Sequence, residues 1–174
     1  GVGSAAVQLG KAAGATVIGV VGGSEKAEYC RRLGADLVLD RHTDDLVPLV
    51  KEFTGGRGAD VVYDPVGGDA YAKSTKCIAF EGRILIIGFA GGTIPTPGLN
   101  HALIKNYSII GFHRGLYKQY NPQAIADCHA ELTRLAEAGA IRPLISERLS
   151  LTDVADGVGR LGDGDTVGRL VYQP

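Results

Sequence analysis

Glycines at the start of the chain are of the type that can bind a dinucleotide. Gly1-Val2-Gly3 precedes a predicted helix that begins with the small residues Ser4 to Ala6. Such glycines allow a tight turn and let backbone N–H groups reach a pyrophosphate, and the helix N-terminus adds the positive end of its dipole. The pattern predicts a pyrophosphate site at Gly1, Val2 and Gly3. The alternative is an ordinary helix that happens to follow two glycines.

A second candidate site lies about twenty residues further on, where an NAD site normally carries an Asp or Glu for the adenosine ribose. Here the chain has Val21-Gly22-Gly23-Ser24, with no carboxylate to repel a 2′-phosphate. We predict that Ser24 and the following helix N-terminus bind this phosphate, with Lys26 as counter-charge and Arg41 approaching from a neighbouring strand. Gly22, Ser24, Lys26 and Arg41 therefore favour NADPH over NADH. The alternative is an N-cap serine beside solvated cations.

Two glycine-rich loops follow later apolar runs and are predicted to lie where the carboxyl ends of parallel strands face a ligand. Val66 and Gly67, after the run ADVVYD, are placed to contact the adenosine side of a dinucleotide. Gly88, Phe89 and Ala90, after GRILII, suit contact with the nicotinamide end. A plain turn and a loop without ligand are the respective alternatives.

No residue shows the spacing of a catalytic or metal-binding group. The histidines have no Cys, Glu or second His at the spacing of a metal site or a catalytic triad. The pair His113-Arg114 is the one that could face a ligand crevice, but a surface role is favoured there. The four histidines are His42, His101, His113 and His129.

Composition excludes several classes of protein. The 174 residues are 45% hydrophobic and 21% charged, with net charge −1 and no apolar run of membrane-spanning length. We therefore expect neither a membrane protein nor a nucleic-acid-binding protein, because dispersed Lys and Arg provide no basic stripe. Three separated cysteines predict reduced thiols in a cytoplasmic protein. The chain lacks Met and opens on a candidate functional loop, which suggests a fragment boundary.

Apolar runs rich in β-branched residues alternate with amphipathic stretches, which predicts an α/β fold of the Rossmann type, a doubly wound parallel sheet with helices on both faces. The predicted strands are 15–21, 36–40, 59–64, 82–89 and 107–112. The predicted helices are 4–13, 24–33, about 45–53, 70–79 and 122–138. The last of these has Ile125, Cys128, Leu132, Leu135 and Ala136 on one face. The tail is predicted as strand, helix from near Thr152, and strand.

Five segments, in this order and spacing, resemble the medium-chain dehydrogenase/reductase superfamily, specifically its zinc-independent quinone-oxidoreductase-like members. They are GVGSAAVQLGKAAGATVIG, SEKAEYCRRLGAD, GADVVYDPVGGD, GRILIIGFAGGTIP and LIKNYSIIGF. The resemblance implies a cofactor domain over 1–141 that lacks its first strand, which would precede Gly1. It also implies that residues 142–174 return to a GroES-like catalytic domain that is absent here.

The same resemblance implies binding of NADPH and hydride transfer to a quinone or an α,β-unsaturated carbonyl, without zinc. It places Phe89 and Phe112 toward the nicotinamide, whereas Arg41 departs from a tyrosine that is common in the family. It further implies a homodimer formed through the edge strand 107–112, and little activity of this fragment alone. A zinc-dependent alcohol dehydrogenase and a non-catalytic nucleotide-binding module are the alternatives.

Overall fold

The computed structural model describes residues 1–164 and 166–173, in which parallel strands alternate with helices. The strands are β1 (Ile18–Val21), β2 (Leu37–Asp40), β3 (Ala59–Asp64), β4 (Ile78–Ile86), β5 (Ser108–Gly111), β6 (Ile145–Ser150) and β7 (Arg169–Gln173). The helices are α1 (Val2–Ala12), α2 (Ser24–Arg32), α3 (Leu46–Phe53), α4 (Gly68–Cys77), α5 (Leu99–Lys105), α6 (Arg114–Tyr120), α7 (Pro122–Glu137) and α8 (Val154–Asp163). The predicted alternation of strands and helices is thus confirmed.

The chain forms two compact units. The first unit comprises residues 1–42 with the described residues from 132 onward, and the second unit comprises residues 43–131. In the first unit β1 pairs in parallel with β2, Ile18 opposite Leu37, and β6 pairs in parallel with β7. Parallel pairs need a crossover, and α2 supplies it between β1 and β2 as α8 does between β6 and β7.

The second unit is organised around a three-stranded parallel sheet in the order β3-β4-β5. Ile84 of β4 is fully buried and packs with Tyr71, Ile78 and Tyr107 in one apolar cluster. A central strand in a parallel sheet typically has a continuous apolar run, seen here in Ile84-Leu85-Ile86. This cluster holds β4 in place and so fixes the loop that leaves its carboxyl end.

Several boundaries differ from the sequence prediction, and each difference has a local cause. Helix α1 begins at Val2 and not at Ser4, because the N–H of Ala5 already donates to the Gly1 carbonyl at 3.3 Å. Strand β4 ends at Ile86 and not at Phe89. Its neighbour β3 is followed by Pro65, which cannot continue a ladder of hydrogen bonds.

The predicted helix 70–79 ends early, at Cys77, and strand β4 begins at Ile78 instead of Gly82. Ile78 has extended dihedral angles and lies opposite Ala59 of β3. Pairing then shifts register and resumes at Arg83 opposite Val61, with Glu81 between them at φ 57°. The irregular start of this strand explains why its apolar periodicity appeared only from Gly82 onward.

Helices α5 and α6 were not predicted. Each has seven residues, and neither contains a buried residue. Helix α7 matches its prediction closely, but only Ile125, Leu132 and Leu135 of its predicted apolar face are half-buried, whereas Cys128 and Ala136 are exposed. Short helices without a buried face leave no periodic pattern for sequence reasoning to detect.

The tail contains the predicted strand, helix and strand, with α8 beginning at Val154 after a short 3₁₀ turn. Its start is attached to α1, because Gln8 exchanges two hydrogen bonds with the backbone of Arg142, at 2.7 and 3.0 Å.

The assignment of residues 142–174 to a further domain stays a prediction, as does a strand preceding Gly1. Among the described residues, β1 and β3 each have one strand neighbour, β2 and β4 respectively. None of the helices in residues 1–164 and 166–173 is long and apolar enough to cross a membrane.

Candidate cofactor site

The predicted pyrophosphate residues lie at the start of α1. Gly1 is the N-cap, and Val2 and Gly3 form the exposed first turn. A Cβ placed on Gly1 or Gly3 would meet nothing within 4 Å, so the space around this turn is open. The first N–H groups of a helix have no partner within it, and they carry the positive end of the dipole. This geometry could accept an anion, and the pyrophosphate site at these residues stays a prediction.

The predicted 2′-phosphate residues meet at the start of α2. Gly22, Ser24 and Lys26 line a surface pocket of about 300 Å³ in the first unit. Gly23 precedes the helix with φ 91°, a left-handed conformation that favours glycine, and so turns the chain from β1 directly into α2. The pocket therefore combines a hydroxyl, a helix N-terminus and an ammonium group on one short segment, together with the carboxylate-bearing Glu25, which also lines it.

Arg41 lies against this segment, as the sequence predicted. A Cβ on Gly22 would stand 3.0 Å from Cζ of Arg41 and 2.9 Å from Nε2 of His42. Both side chains therefore lie over the bare backbone of Gly22, where any larger residue would displace them. Arg41 is fixed at its backbone by donating its N–H to the carbonyl of Val21, at 2.8 Å.

Sequence reasoning missed a carboxylate at this place, Asp40 at the end of β2. Its Oδ2 accepts the N–H of Gly23 at 3.1 Å, and its Oδ1 accepts the N–H of His42 at 3.0 Å. The hydrogen bond from His42 and the one from Gly23 lower the pKa of Asp40. The carboxylate is thus tied to two backbone groups, and it fixes the Gly22-Gly23 turn that precedes α2. The expectation that no carboxylate lies at this place was therefore wrong, because pairing of β1 with β2 brings Asp40 beside Gly23.

The pocket also includes two residues from the far end of the sequence, Gly164 and Val167. The carbonyl of Gly164 accepts a hydrogen bond from Nζ of Lys26. Close by in sequence, the carbonyl of Gly168 accepts a hydrogen bond from the nitrogen of Gly1 at 3.4 Å. Gly164 and Gly168, which follow α8, therefore contact both predicted phosphate-binding segments of the first unit.

In the second unit, the loops after β3 and β4 are joined by backbone hydrogen bonds. The carbonyl of Asp64 accepts the N–H of Ile87 at 2.9 Å, that of Pro65 accepts the N–H of Ala90 at 3.0 Å, and that of Val66 accepts the N–H of Gly91 at 2.9 Å. The structure therefore brings Val66, Gly88, Phe89 and Ala90 together in one connected pair of loops. All of these bonds join backbone atoms, so no pattern of side chains in the sequence could reveal them.

Phe89 projects from these loops, with 39% of its surface exposed, and its ring packs on Gly67. Phe112 follows β5, and its N–H donates to the carbonyl of Ile86 at 3.3 Å, which places it beside the end of β4. The ring centroids of Phe112 and Tyr117 are 5.5 Å apart. The two predicted nicotinamide-side phenylalanines thus both lie at the carboxyl ends of the strands, and both are partly exposed.

The described residues contain no group of three or more His, Cys, Asp or Glu side chains that could hold a metal ion. Among the histidines, His101 pairs through Nδ1 with the Tyr107 hydroxyl at 3.2 Å, while His113 precedes α6 at the surface. All three cysteines are free, and two of them, Cys30 and Cys77, are buried.

Comparison with known proteins identifies the family. A family model described as zinc-binding dehydrogenase matches residues 1–130. The chain belongs to this dehydrogenase family. It is 33% identical over 176 residues to a quinone oxidoreductase of Pseudomonas aeruginosa, covering 100% of this chain and 54% of that protein. It is 30% identical over 175 residues to a 2-haloacrylate reductase of a Burkholderia species, covering 100% of this chain and 53% of that protein.

The fold of this dehydrogenase-family chain agrees with that of a solved relative. It aligns with the crystal structure of Escherichia coli quinone oxidoreductase complexed with NADPH at a TM-score of 0.89 and 29% identity, covering 100% of this chain and 54% of that one. The resemblance to quinone-oxidoreductase-like dehydrogenases of the medium-chain superfamily and the Rossmann-type fold are thereby confirmed. The chain spans about half the length of these relatives.

Proposed function

We propose that this chain is the NADPH-binding part of an oxidoreductase that transfers a hydride to a quinone or an α,β-unsaturated carbonyl. The observation that carries the proposal is the pocket at the start of α2, where Ser24 and Lys26 adjoin the Arg41 side chain over Gly22. A 2′-phosphate needs charged donors of this kind and distinguishes NADPH from NADH. Relatives include a quinone oxidoreductase and a 2-haloacrylate reductase, and the E. coli structure contains NADPH.

The chemistry of the donors fits the cofactor. Lys26 offers an ammonium group as a point charge, and Arg41 offers a planar guanidinium that can bind a phosphate through two nitrogens. Gly1, Val2 and Gly3 would bind the pyrophosphate through the first N–H groups of α1. In the second unit, Val66, Gly88, Phe89, Ala90 and Phe112 would contact the dinucleotide with backbone and ring surfaces.

When bound, NADPH supplies the hydride, and the residues of this chain bind and orient it. No side chain of this chain is assigned a proton-transfer role. Rate enhancement would therefore come from holding donor and acceptor at reacting distance.

Steady-state oxidation of NADPH by the longest natural form of the protein tests the proposal. We expect turnover with quinones and α,β-unsaturated carbonyls, and none with saturated aldehydes or ketones. Reduction of saturated carbonyls alone, abolished by a zinc chelator, would instead indicate an alcohol dehydrogenase. Tight NADPH binding with no oxidation by any acceptor would indicate a non-catalytic module.

We also infer that the protein forms a homodimer through β5. Among the described strands β5 pairs only with β4, and Ile110 on it is 39% exposed. An apolar strand at a sheet edge is a site for pairing with a second copy. Analytical ultracentrifugation should give a dimeric mass that Ile110→Lys reduces to that of a monomer. A monomeric wild type at high concentration would contradict this inference.

A further inference from the structure

Asp64, the last residue of β3, is the only charged side chain that is buried among the described residues. It is 3% exposed, and its Oδ1 accepts the N–H groups of Val66 and Gly67, both at 2.9 Å. Its own backbone carbonyl accepts the N–H of Ile87 from the next loop. One residue therefore fixes the turn after β3 through its side chain and the loop after β4 through its backbone.

The backbone turn that Asp64 fixes also packs against the ring of Phe89. Gly67 is buried at φ 74°, and a Cβ placed there would stand 3.0 Å from Cδ1 of Phe89 and 2.8 Å from the carbonyl of Thr93. The N–H of Gly68 donates to the same Thr93 carbonyl at 3.1 Å. The Phe89 ring thus packs on the backbone whose position the Asp64 carboxylate sets.

Burial of a carboxylate costs free energy because it removes the charge from water. In Asp64 only one of the two oxygens, Oδ1, accepts hydrogen bonds that offset this cost. Oδ2 of Asp64 has no hydrogen-bond partner among the described residues. The charge of Asp64 also acts on Tyr71, which lies in the core of the second unit. Burial, the neighbouring Tyr107 and the charge of Asp64 together raise the pKa of Tyr71 to about 12. An apolar residue would avoid this desolvation cost but would leave the N–H groups of Val66 and Gly67 without their acceptor. The carboxylate at this position therefore serves to hold the turn after β3.

We propose that Asp64 is a positioning residue for hydride transfer: its Oδ1 fixes Val66 and Gly67, and through Gly67 it sets the Phe89 ring on the nicotinamide side. This inference rests on the proposed function, because it assumes that the two loops bind NADPH. The relevant property is the place of an acceptor oxygen, and not the negative charge. Charge and place can be separated by substitution.

The test compares Asp64→Asn with Asp64→Glu in the longest natural form of the protein, by single-turnover oxidation of NADPH and by calorimetric NADPH binding. Asn keeps an acceptor oxygen in place without the charge, so we expect a hydride-transfer rate within about threefold of wild type. Glu keeps the charge but moves the oxygens by one methylene, so we expect a rate lower by about tenfold or more. Tyr71→Phe, which alters the same core without changing a bond of Asp64, should leave the rate within about threefold.

The outcomes separate the inference from the proposed function. If both Asp64 variants transfer hydride as fast as wild type, or if Asn is impaired and Glu is not, Asp64 is not a positioning residue. If both are impaired equally, the carboxylate acts by another route and the inference is also wrong. A wild type that binds no NADPH or never oxidises it overturns the proposed function first, and the inference falls with it.

Discussion

Gly22 in the first unit and Gly67 in the second are both closely packed, but their neighbours differ in kind. A Cβ on Gly22 would press on the ends of two long side chains, Arg41 and His42, which can move. A Cβ on Gly67 would stand 2.8 Å from the backbone carbonyl of Thr93, which cannot move without its loop. Gly22 therefore lies beside side chains that can move, whereas Gly67 lies beside backbone that is held in place.

Under the proposed function, the two regions would contribute in different ways. Around Gly22 the proposed phosphate-binding groups are side chains, with Ser24 and Arg41 exposed and Lys26 half-buried, and such side chains can adapt to a phosphate. Around Gly67 the neighbouring atoms belong to the backbone of two loops that are joined by hydrogen bonds, and the buried Asp64 fixes one of these loops. Substitutions in the first region should change affinity and cofactor preference, whereas substitutions in the second should change stability and geometry.

The largest effect is expected for Gly67→Ala. The left-handed φ of 74° and the contact with Thr93 make any side chain strained here. We expect the free energy of unfolding to fall by about 1–3 kcal/mol, measured by urea denaturation. Gly92→Ala is the matched control, because its φ is 81° but a Cβ there would meet nothing within 4 Å. Equal losses in both variants would mean that backbone strain, and not the Thr93 contact, dominates.

A smaller effect, of a different kind, is expected for Gly22→Ala. The new methyl group should displace Arg41 and His42 from the pocket edge while leaving the fold intact. NADPH affinity should fall by about three- to fivefold, or about 0.7–1 kcal/mol, with NADH affinity unchanged. The free energy of unfolding should stay within about 0.5 kcal/mol of wild type. A large loss of stability would contradict the view that this region is adjustable.

The smallest effect is expected from the ion pair between Lys11 and Asp36, 2.8 Å apart, in the first unit. The hydrogen bond from Lys11 and one from the N–H of Val17 lower the pKa of Asp36. A carboxyl group with a lowered pKa stabilises the fold above its unfolded pKa of about 3.9, and this contribution is lost as the pH falls through the lower, folded value. Asp36→Asn should therefore destabilise the protein slightly at pH 7, and the difference from wild type should vanish at low pH. A difference that is constant with pH would exclude this origin.

Most helices and strands could be predicted from the sequence, because the spacing of apolar residues along each segment indicates its type. The strands β1, β2, β3 and β5 fall inside their predicted ranges, and the segment from Gly22 to Lys26 was placed correctly at the turn from β1 into α2. Position relative to a strand end is a local property, so spacing alone is sufficient to find such a segment.

What could not be predicted depends on contacts between distant parts of the chain. Gly164 reaches Lys26 across 138 residues, and no periodic pattern links the two. Asp64 was part of a recognised motif, but its burial and its bonds to Val66 and Gly67 appear only in the folded chain. Similarly, Asp40 contacts the pocket because β2 pairs with β1, which brings its carboxylate beside Gly23.

The most direct test of the central claim is calorimetric binding of NADPH and NADH, side by side, to the longest natural form of the protein. We expect NADPH to bind at least about tenfold more tightly, which corresponds to about 1.4 kcal/mol. Lys26→Ala should remove most of that margin, whereas Lys51→Ala, a surface lysine of α3, should leave it unchanged. Equal or tighter binding of NADH by wild type would contradict the assignment of Ser24, Lys26 and Arg41 to a 2′-phosphate.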